Sequence, residues 1–206
     1  MIQIRFLISI LTLLGATVAF AAGDPIAGKA QSIVCAACHG QDGASGIDPT
    51  YPNLAGQNER YLFSQLQMIQ TGARAIVLMT GQLIGKSEQD LQNLAAYYAS
   101  LPGKLGQAEG DTNSVSTSET IYRGGLLEKG VAACSSCHSP TGGGNVLAGF
   151  PRLSGQTTSY TIAQLTAYRE GVRVTDEAYG GMMRDVASNL TDTEIAALAD
   201  YLRGLH

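Results

Sequence analysis

Tryptophan is absent from this 206-residue chain, and aromatic residues of any kind make up only 6% of it. Charge is scarce as well: 15% of residues are Asp, Glu, Lys or Arg, and the formal net charge is −4. With 45% hydrophobic residues the composition is globular, which excludes a disordered, collagen-like or coiled-coil protein. The acidic balance argues against a nucleic-acid binder that works by neutralising phosphates. Runs of alternating apolar and polar residues are missing, so no β-strand is expected. Past the N-terminus, no apolar run approaches the length that crosses a membrane as a helix. Cysteine and histidine are also few, four and three, but their positions are informative.

Residues 1–21 read as a cleavable signal peptide. Arg5 and the α-amine give a positive end, Phe6 to Val18 is apolar, and Ala19-Phe20-Ala21 has the small-x-small form of a cleavage site. The apolar run of 13 residues is too short to span roughly 30 Å of hydrocarbon. The expected mature chain starts at Ala22, is exported to the periplasm and has no transmembrane helix. Peripheral association with the membrane surface stays open.

Every cysteine, and two of the three histidines, fall into two Cys-x-x-Cys-His motifs: Cys35, Cys38, His39 and Cys134, Cys137, His138. Such a motif attaches haem, its thiols bonding to the vinyl groups and its histidine lying under the porphyrin as an iron ligand. The spacing suits that chemistry, because one helical turn presents both sulfurs to one edge of the macrocycle and aims the imidazole at the metal. At this composition one match arises by chance in roughly one chain in a thousand. Rival readings lack residues. A structural zinc site needs four convergent ligands, and a thioredoxin-type dithiol expects a βαβ setting that is missing.

The second motif lies 99 residues after the first, and its surroundings follow at the same offset. Pro52-Asn53-Leu54-Ala55-Gly56-Gln57 becomes Pro151-Arg152-Leu153-Ser154-Gly155-Gln156. Tyr61, Gln65, Leu66, Gly72 and Arg74 recur as Tyr160, Gln164, Leu165, Gly171 and Arg173. Toward the end of each half the offset becomes 104, pairing Tyr97 with Tyr201 and Leu101 with Leu205, so the second half has gained five residues. A repeat this long is a duplicated domain. The expected domains are 22–103 and 118–206, joined by a Gly/Ser/Thr-rich linker at 104–117. Each is small for a self-sufficient core, and a large buried cofactor would supply the apolar bulk that the missing aromatics do not.

The pattern predicts helices. Asp24-Pro25 reads as an N-cap with proline at the first helical position, running into the first motif. Gln57 to Gln70 and Gln156 to Glu170 carry helical spacing. Ser87-x-x-Asp90 and Thr191-x-x-Glu194 resemble capping boxes that open terminal helices. Gly40 to Ala55 and Ser139 to Ser154 read as loops. Tyr97 and Tyr201 are expected in the core.

A sixth ligand decides what each iron does, and a His/Met pair gives a closed site suited to electron transfer. Met68 falls mid-helix among apolar neighbours and reads as packing. Met79 stands in a loop-like stretch before the terminal helix, and Met182 or Met183 holds the same place in the second half. Carried back from Tyr201, the offset of 104 places Met79 on Met183.

Together these segments resemble the dihaem cytochrome c4 family, with Leu78-Met79-Thr80-Gly81, Gly149-Phe150-Pro151-Arg152-Leu153 and Met182-Met183-Arg184 as further matches. The resemblance covers essentially the whole mature chain. It implies an all-α fold of two tandem class I cytochrome c domains and two covalently bound haem c groups. It also implies His/Met ligation by His39 with Met79 and His138 with Met183. The implied role is that of a periplasmic electron carrier, with respiratory donors and a terminal oxidase or similar acceptor. The carbonyls of Pro52 and Pro151 are expected to accept the Nδ1–H of each axial histidine, and Arg74 and Arg173 to pair with haem propionates. Two alternatives are a cytochrome subunit of a dehydrogenase or oxidase complex and a dihaem peroxidase, which needs an open haem.

Overall fold

The computed structural model describes residues 23–206. The signal peptide expected at 1–21 lies outside them. The described residues form ten α-helices and three short 3₁₀ turns, and their only β-pairings are the isolated bridges Leu126–Val131 and Asn145–Phe150. The fold is all-α, as the sequence predicts.

In the first half, α1 (Pro25–Gln31) starts where the Asp24 carboxylate accepts the Ile26 amide at 2.8 Å. Pro25 costs nothing at that position, where an amide would have no helical partner. The chain kinks at Ser32 and resumes as α2 (Ile33–His39), which carries the first motif. Helix α3 (Glu59–Thr71) is capped by Asn58 and ends at Gly72 in the left-handed region. A single turn, α4 (Val77–Thr80), precedes α5 (Glu88–Ser100), which opens on the Ser87/Asp90 capping box.

Helix α1 crosses α5, and α3 packs beside α5. The crossing is close because residue 28 is glycine. A Cβ there would sit 1.9 Å from the Asn93 carbonyl oxygen and 2.8 Å from the Tyr97 Cβ. The core beneath has two patches, Leu62, Leu94, Ala95 and Tyr98 in one, Ile69, Leu83 and Leu91 in the other. Tyr98 is the fully buried tyrosine of α5, whereas Tyr97 is half-buried beside it.

The second half repeats the plan with α6 (Thr112–Gly124), α7 (Ser135–His138), α8 (Thr158–Arg169), α9 (Met182–Ala187) and α10 (Asp192–Gly204). Thr191 and Glu194 form the capping box of α10. Helices α6 and α8 both pack on α10. The core is one cluster of Ile121, Tyr122, Val131, Leu190, Ile195, Leu198, Tyr201, Leu202 and Leu205. Tyr122 and Tyr201 lie ring to ring at 5.7 Å. With so few aromatics, each core takes its aromatic bulk from the terminal helix, Tyr98 on α5 and Tyr201 on α10, the latter packed against Tyr122 of α6.

The connecting stretch differs from the composition-based expectation. Helix α6 begins at Thr112, inside the 104–117 segment read as linker. Asp111 caps it by accepting the Ser114 amide at 2.8 Å, and the Ser118 and Thr120 hydroxyls bond back to Ser114 and Ser116 carbonyls. Serines and threonines disfavour a helix when they compete for its backbone; here they bond to the preceding turn. Upstream, the strap is tied to both halves. Lys104 donates to the Ala44 carbonyl at 2.8 Å, and the Glu109 and Gly110 amides both donate to the Asp200 carboxylate.

Candidate functional site

Each motif occupies one helical turn. In the first, Cys35 to His39 end α2; in the second, the His138 amide donates to the Cys134 carbonyl at 2.9 Å. None of the four cysteines is in a disulfide. No cluster of three or more His, Cys, Asp and Glu side chains able to hold a metal ion occurs among the described residues, which leaves the paired cysteines without a zinc-type role.

Both histidines are buried at the ends of their turns. His39 Nδ1 lies 3.0 Å from the Pro52 carbonyl oxygen, and His138 Nδ1 lies 2.9 Å from that of Pro151. A carbonyl only accepts, so Nδ1 carries the proton and Nε2 is the nitrogen free to bind metal. Burial holds both imidazoles below the usual histidine range, against the pull of the proline carbonyls, so they stay neutral. An aromatic ring flanks each histidine, Tyr51 at 6.1 Å from His39 and Phe150 at 6.2 Å from His138. They are the residues before Pro52 and Pro151, at the same offset of 99, and that repeat was the available signal for them.

The methionines differ in exposure. Met79 is half-buried on α4 and packs against the Ile69–Leu83–Leu91 patch. Met183 is half-buried on α9, whereas its neighbour Met182 is 39% exposed. The loop before α9 is fixed by Asp176, itself 3% exposed, whose carboxylate accepts both the Arg184 amide and Arg184 Nε at 2.9 Å. Large apolar side chains lie exposed in both halves, Val34 next to Cys35 and Val77 and Leu78 next to Met79 in the first, and Val172 and Val174 on either side of Arg173 in the second. Paired thiols, a neutral buried imidazole, a half-buried thioether and uncovered apolar side chains are the donor set and lining that haem c requires.

Arg74 and Arg173 are buried and face one another across the boundary between the halves. Arg74 Nη1 donates to Gln65 Oε1 at 2.9 Å, and its Nη2 to the Tyr160 hydroxyl and Gln164 Oε1 at 3.0 Å each. Arg173 mirrors this, with Nη1 on Gln164 at 2.7 Å and Nη2 on the Tyr61 hydroxyl at 3.0 Å and Gln65 at 3.1 Å. A second reciprocal set lies alongside. Gln57 pairs with both backbone groups of Arg152, and Gln156 with both backbone groups of Asn53. The sequence shows these glutamines and tyrosines as repeats, but spacing within a half does not say which side chains meet across two.

The cytochrome c family model matches residues 21–102 and 129–206. Cytochrome c4 of Pseudomonas aeruginosa is 46% identical over 203 residues, covering 98% of this chain and 99% of that protein. The thiosulfate dehydrogenase electron acceptor of Thiomonas intermedia is 35% identical, covering 98% and 91%. Among solved structures, reduced recombinant cytochrome c4 from Pseudomonas stutzeri superposes with a TM-score of 0.85 at 45% identity, covering 90% of this chain and all of that one. The duplicated motif, the mirrored histidine settings and these relatives converge: the chain belongs to the cytochrome c4 family, electron-transfer proteins rather than enzymes, and carries two covalently bound haem c groups.

Proposed function

We propose that this protein shuttles electrons in the periplasm from respiratory donors to a terminal oxidase or similar acceptor, each iron being held between a histidine and a methionine. The observation that supports the reading is the mirrored setting of the two histidines, His39 Nδ1 on the Pro52 carbonyl and His138 Nδ1 on the Pro151 carbonyl, with a half-buried methionine on a short helix of each half, Met79 and Met183. Each haem supplies a one-electron ferric–ferrous couple. Cys35, Cys38, Cys134 and Cys137 anchor the groups covalently. The proline carbonyls fix ring orientation and tautomer, so neither histidine reorganises when the charge changes. Met79 and Met183 would supply the thioether ligands, which would keep small ligands out and raise the potential.

Arg74 and Arg173 meet only neutral acceptors in their cluster, Tyr and Gln oxygens and, for Arg173 Nε, the Thr175 hydroxyl at 2.9 Å. Two buried cations call for counter-charge, and Arg74 and Arg173 are the residues that would hold haem propionates, which would supply it. Among the described residues no helix is long and apolar enough to cross a membrane, and in this reading any membrane contact is peripheral. In this reading the first domain is 22–103, the second, expected from composition at 118–206, takes in all of α6 from Thr112, and the mature chain follows cleavage after Ala21.

Mixing the reduced protein with oxidase-bearing membranes in a stopped-flow spectrometer tests the role. Oxidation of both haems within the turnover time of the oxidase is expected, and an inert reduced protein refutes it. Relatives described as thiosulfate dehydrogenase electron acceptors favour one second reading, a cytochrome that is a subunit of a dehydrogenase complex. Size-exclusion chromatography of a native extract separates the two: a free carrier elutes at the mass of one chain, a subunit with its enzyme.

A further inference from the structure

The two glutamine pairings across the domain boundary end on particular peptide units. The unit joining Pro52 to Asn53 offers its carbonyl to His39 Nδ1 at 3.0 Å and its N–H to Gln156 Oε1 at 2.8 Å. The unit joining Pro151 to Arg152 offers its carbonyl to His138 Nδ1 at 2.9 Å and its N–H to Gln57 Oε1 at 2.7 Å. One peptide group therefore stands between each histidine and a glutamine of the opposite domain. Each glutamine also donates Nε2 to the carbonyl of the same residue whose amide it accepts, at 3.1 Å on Asn53 and 2.9 Å on Arg152. Both are buried, and a third bond helps fix their orientation: Oε1 also accepts the amide of the following residue, Asn58 at 2.8 Å for Gln57 and Thr157 at 2.9 Å for Gln156.

We propose that Gln156 and Gln57 are positioning residues that tune the haem of the other domain: Gln156 acts on the iron bound by His39, and Gln57 on the iron bound by His138. Hydrogen bonds in series polarise one another, by roughly 10–30% per bond. An acceptor on the peptide N–H pushes electron density onto the carbonyl oxygen, which then accepts the Nδ1–H more strongly. The imidazole gains anionic character and stabilises the ferric iron, lowering the reduction potential. Separating the domains, or turning either glutamine, weakens that chain and raises the potential. The boundary is thereby part of each haem's ligand environment, and a partner that shifts one domain against the other changes both potentials.

Gln156→Met and Gln57→Met keep side-chain length and remove the acceptor. In the intact dihaem protein, spectroelectrochemistry should show Gln156→Met raising the potential of the haem on Cys35 and Cys38, and Gln57→Met raising that of the haem on Cys134 and Cys137. A shift of up to about tenfold in the ferric–ferrous equilibrium is expected, which is about 59 mV for one electron. The histidine rings are read directly in ferrous protein labelled with ¹⁵N-histidine. Contacts to Tyr51 or Phe150 identify each ring, and the Nδ1–H of the ring opposite the substitution should move while the other stays. Asn53→Ala is the control: it removes the Asn53 Nδ2 bond to the Gly155 carbonyl, 2.8 Å across the same boundary, and leaves the peptide N–H in place. It should leave both potentials unchanged. A shift on the substituted domain's own haem, equal shifts on both, an unmoved pair, or a control that matches the glutamine variants overturns the proposal. The inference rests on His39 and His138 as axial ligands. Failure of that reading would appear in the unsubstituted protein, as ring signals without iron-bound character.

Discussion

Substituting Gly28 by alanine tests the packing that carries the first motif. The added Cβ would lie 1.9 Å from the Asn93 carbonyl oxygen and 2.5 Å from its carbon, both backbone atoms of α5, where ordinary contact begins at 3.4 Å. Helices α1 and α5 must therefore part by about 1.5 Å. The face of α5 that would lift carries Leu91, Leu94 and Ala95, none more than 1% exposed. Forcing a methyl group into a closed contact costs about 1–3 kcal/mol, and a clash with backbone falls at the top of that range. Alanine returns about 1 kcal/mol of helix propensity, leaving a net loss of about 2 kcal/mol. For a half of about 80 residues melting as its own unit, that lowers its melting temperature by about 8–16 °C. Because α1 runs through Ser32 into α2, the movement reaches Cys35 and His39. Calorimetry of the ferric protein, with the Soret band followed in parallel, should show the transition of the first half moving down while that of the second half stays. Gly124→Ala supplies the contrast: nothing lies within 4 Å of its Cβ position, so it should be neutral or stabilising by up to about 1 kcal/mol. A Gly28→Ala protein that melts at or above the unsubstituted one would refute the reasoning.

Met183→Ala should open one haem to carbon monoxide and lower its potential by on the order of 100 mV, within the about 0.8 V that axial ligands command. Met182→Ala should leave carbon monoxide excluded, and the reverse outcome would put the register wrong by one residue. Arg74→Met removes a buried cation that favours the ferrous state, so a potential lower by up to about 59 mV is expected; unchanged potentials would show that the guanidinium does not face the haem. Burial pushes the Glu194 carboxyl up, but Lys129 and the Thr191 amide and hydroxyl outweigh it and hold it below its ordinary 4.5. Its contribution is therefore complete above that value and fades as pH falls through the lowered one. Glu194→Gln keeps the capping box but loses the ion pair with Lys129, so it should be less stable at neutral pH by about 0.2–1 kcal/mol, and its chemical denaturation midpoint should fall less steeply between pH 5 and about 3. An unchanged acid limb would contradict this.

Local signals carried much of the fold. The capping boxes at Ser87 and Thr191 begin α5 and α10 where the sequence places them, and Asp24-Pro25 begins α1, because a cap depends on residues within one turn. The loops between each motif and the next helix were equally plain from their glycines and prolines. The start of α6 was hidden, since Ser and Thr side chains serve linker and helix alike and only the Asp111 cap distinguishes them. The offset of 99 marked Tyr61, Gln65, Arg74 and Gln57 with their counterparts, but not that they meet one another across the boundary. Contacts between two domains depend on their docking, which no periodicity within either domain records. The motif histidines and their proline acceptors were legible because each pair flanks one short loop, the histidine closing the motif helix and the proline thirteen residues on. The choice between Met182 and Met183 rested on the 104 offset, and the greater exposure of Met182 supports it.

The near-infrared absorption of the fully ferric protein tests the central claim most directly. Sulfur-to-iron charge transfer gives a weak band only where methionine binds ferric haem. Two closed His/Met sites predict that its intensity corresponds to two such haems per chain, with ferrous protein that takes up no carbon monoxide near neutral pH. Intensity for a single haem, together with carbon monoxide binding to half the iron, would contradict the account.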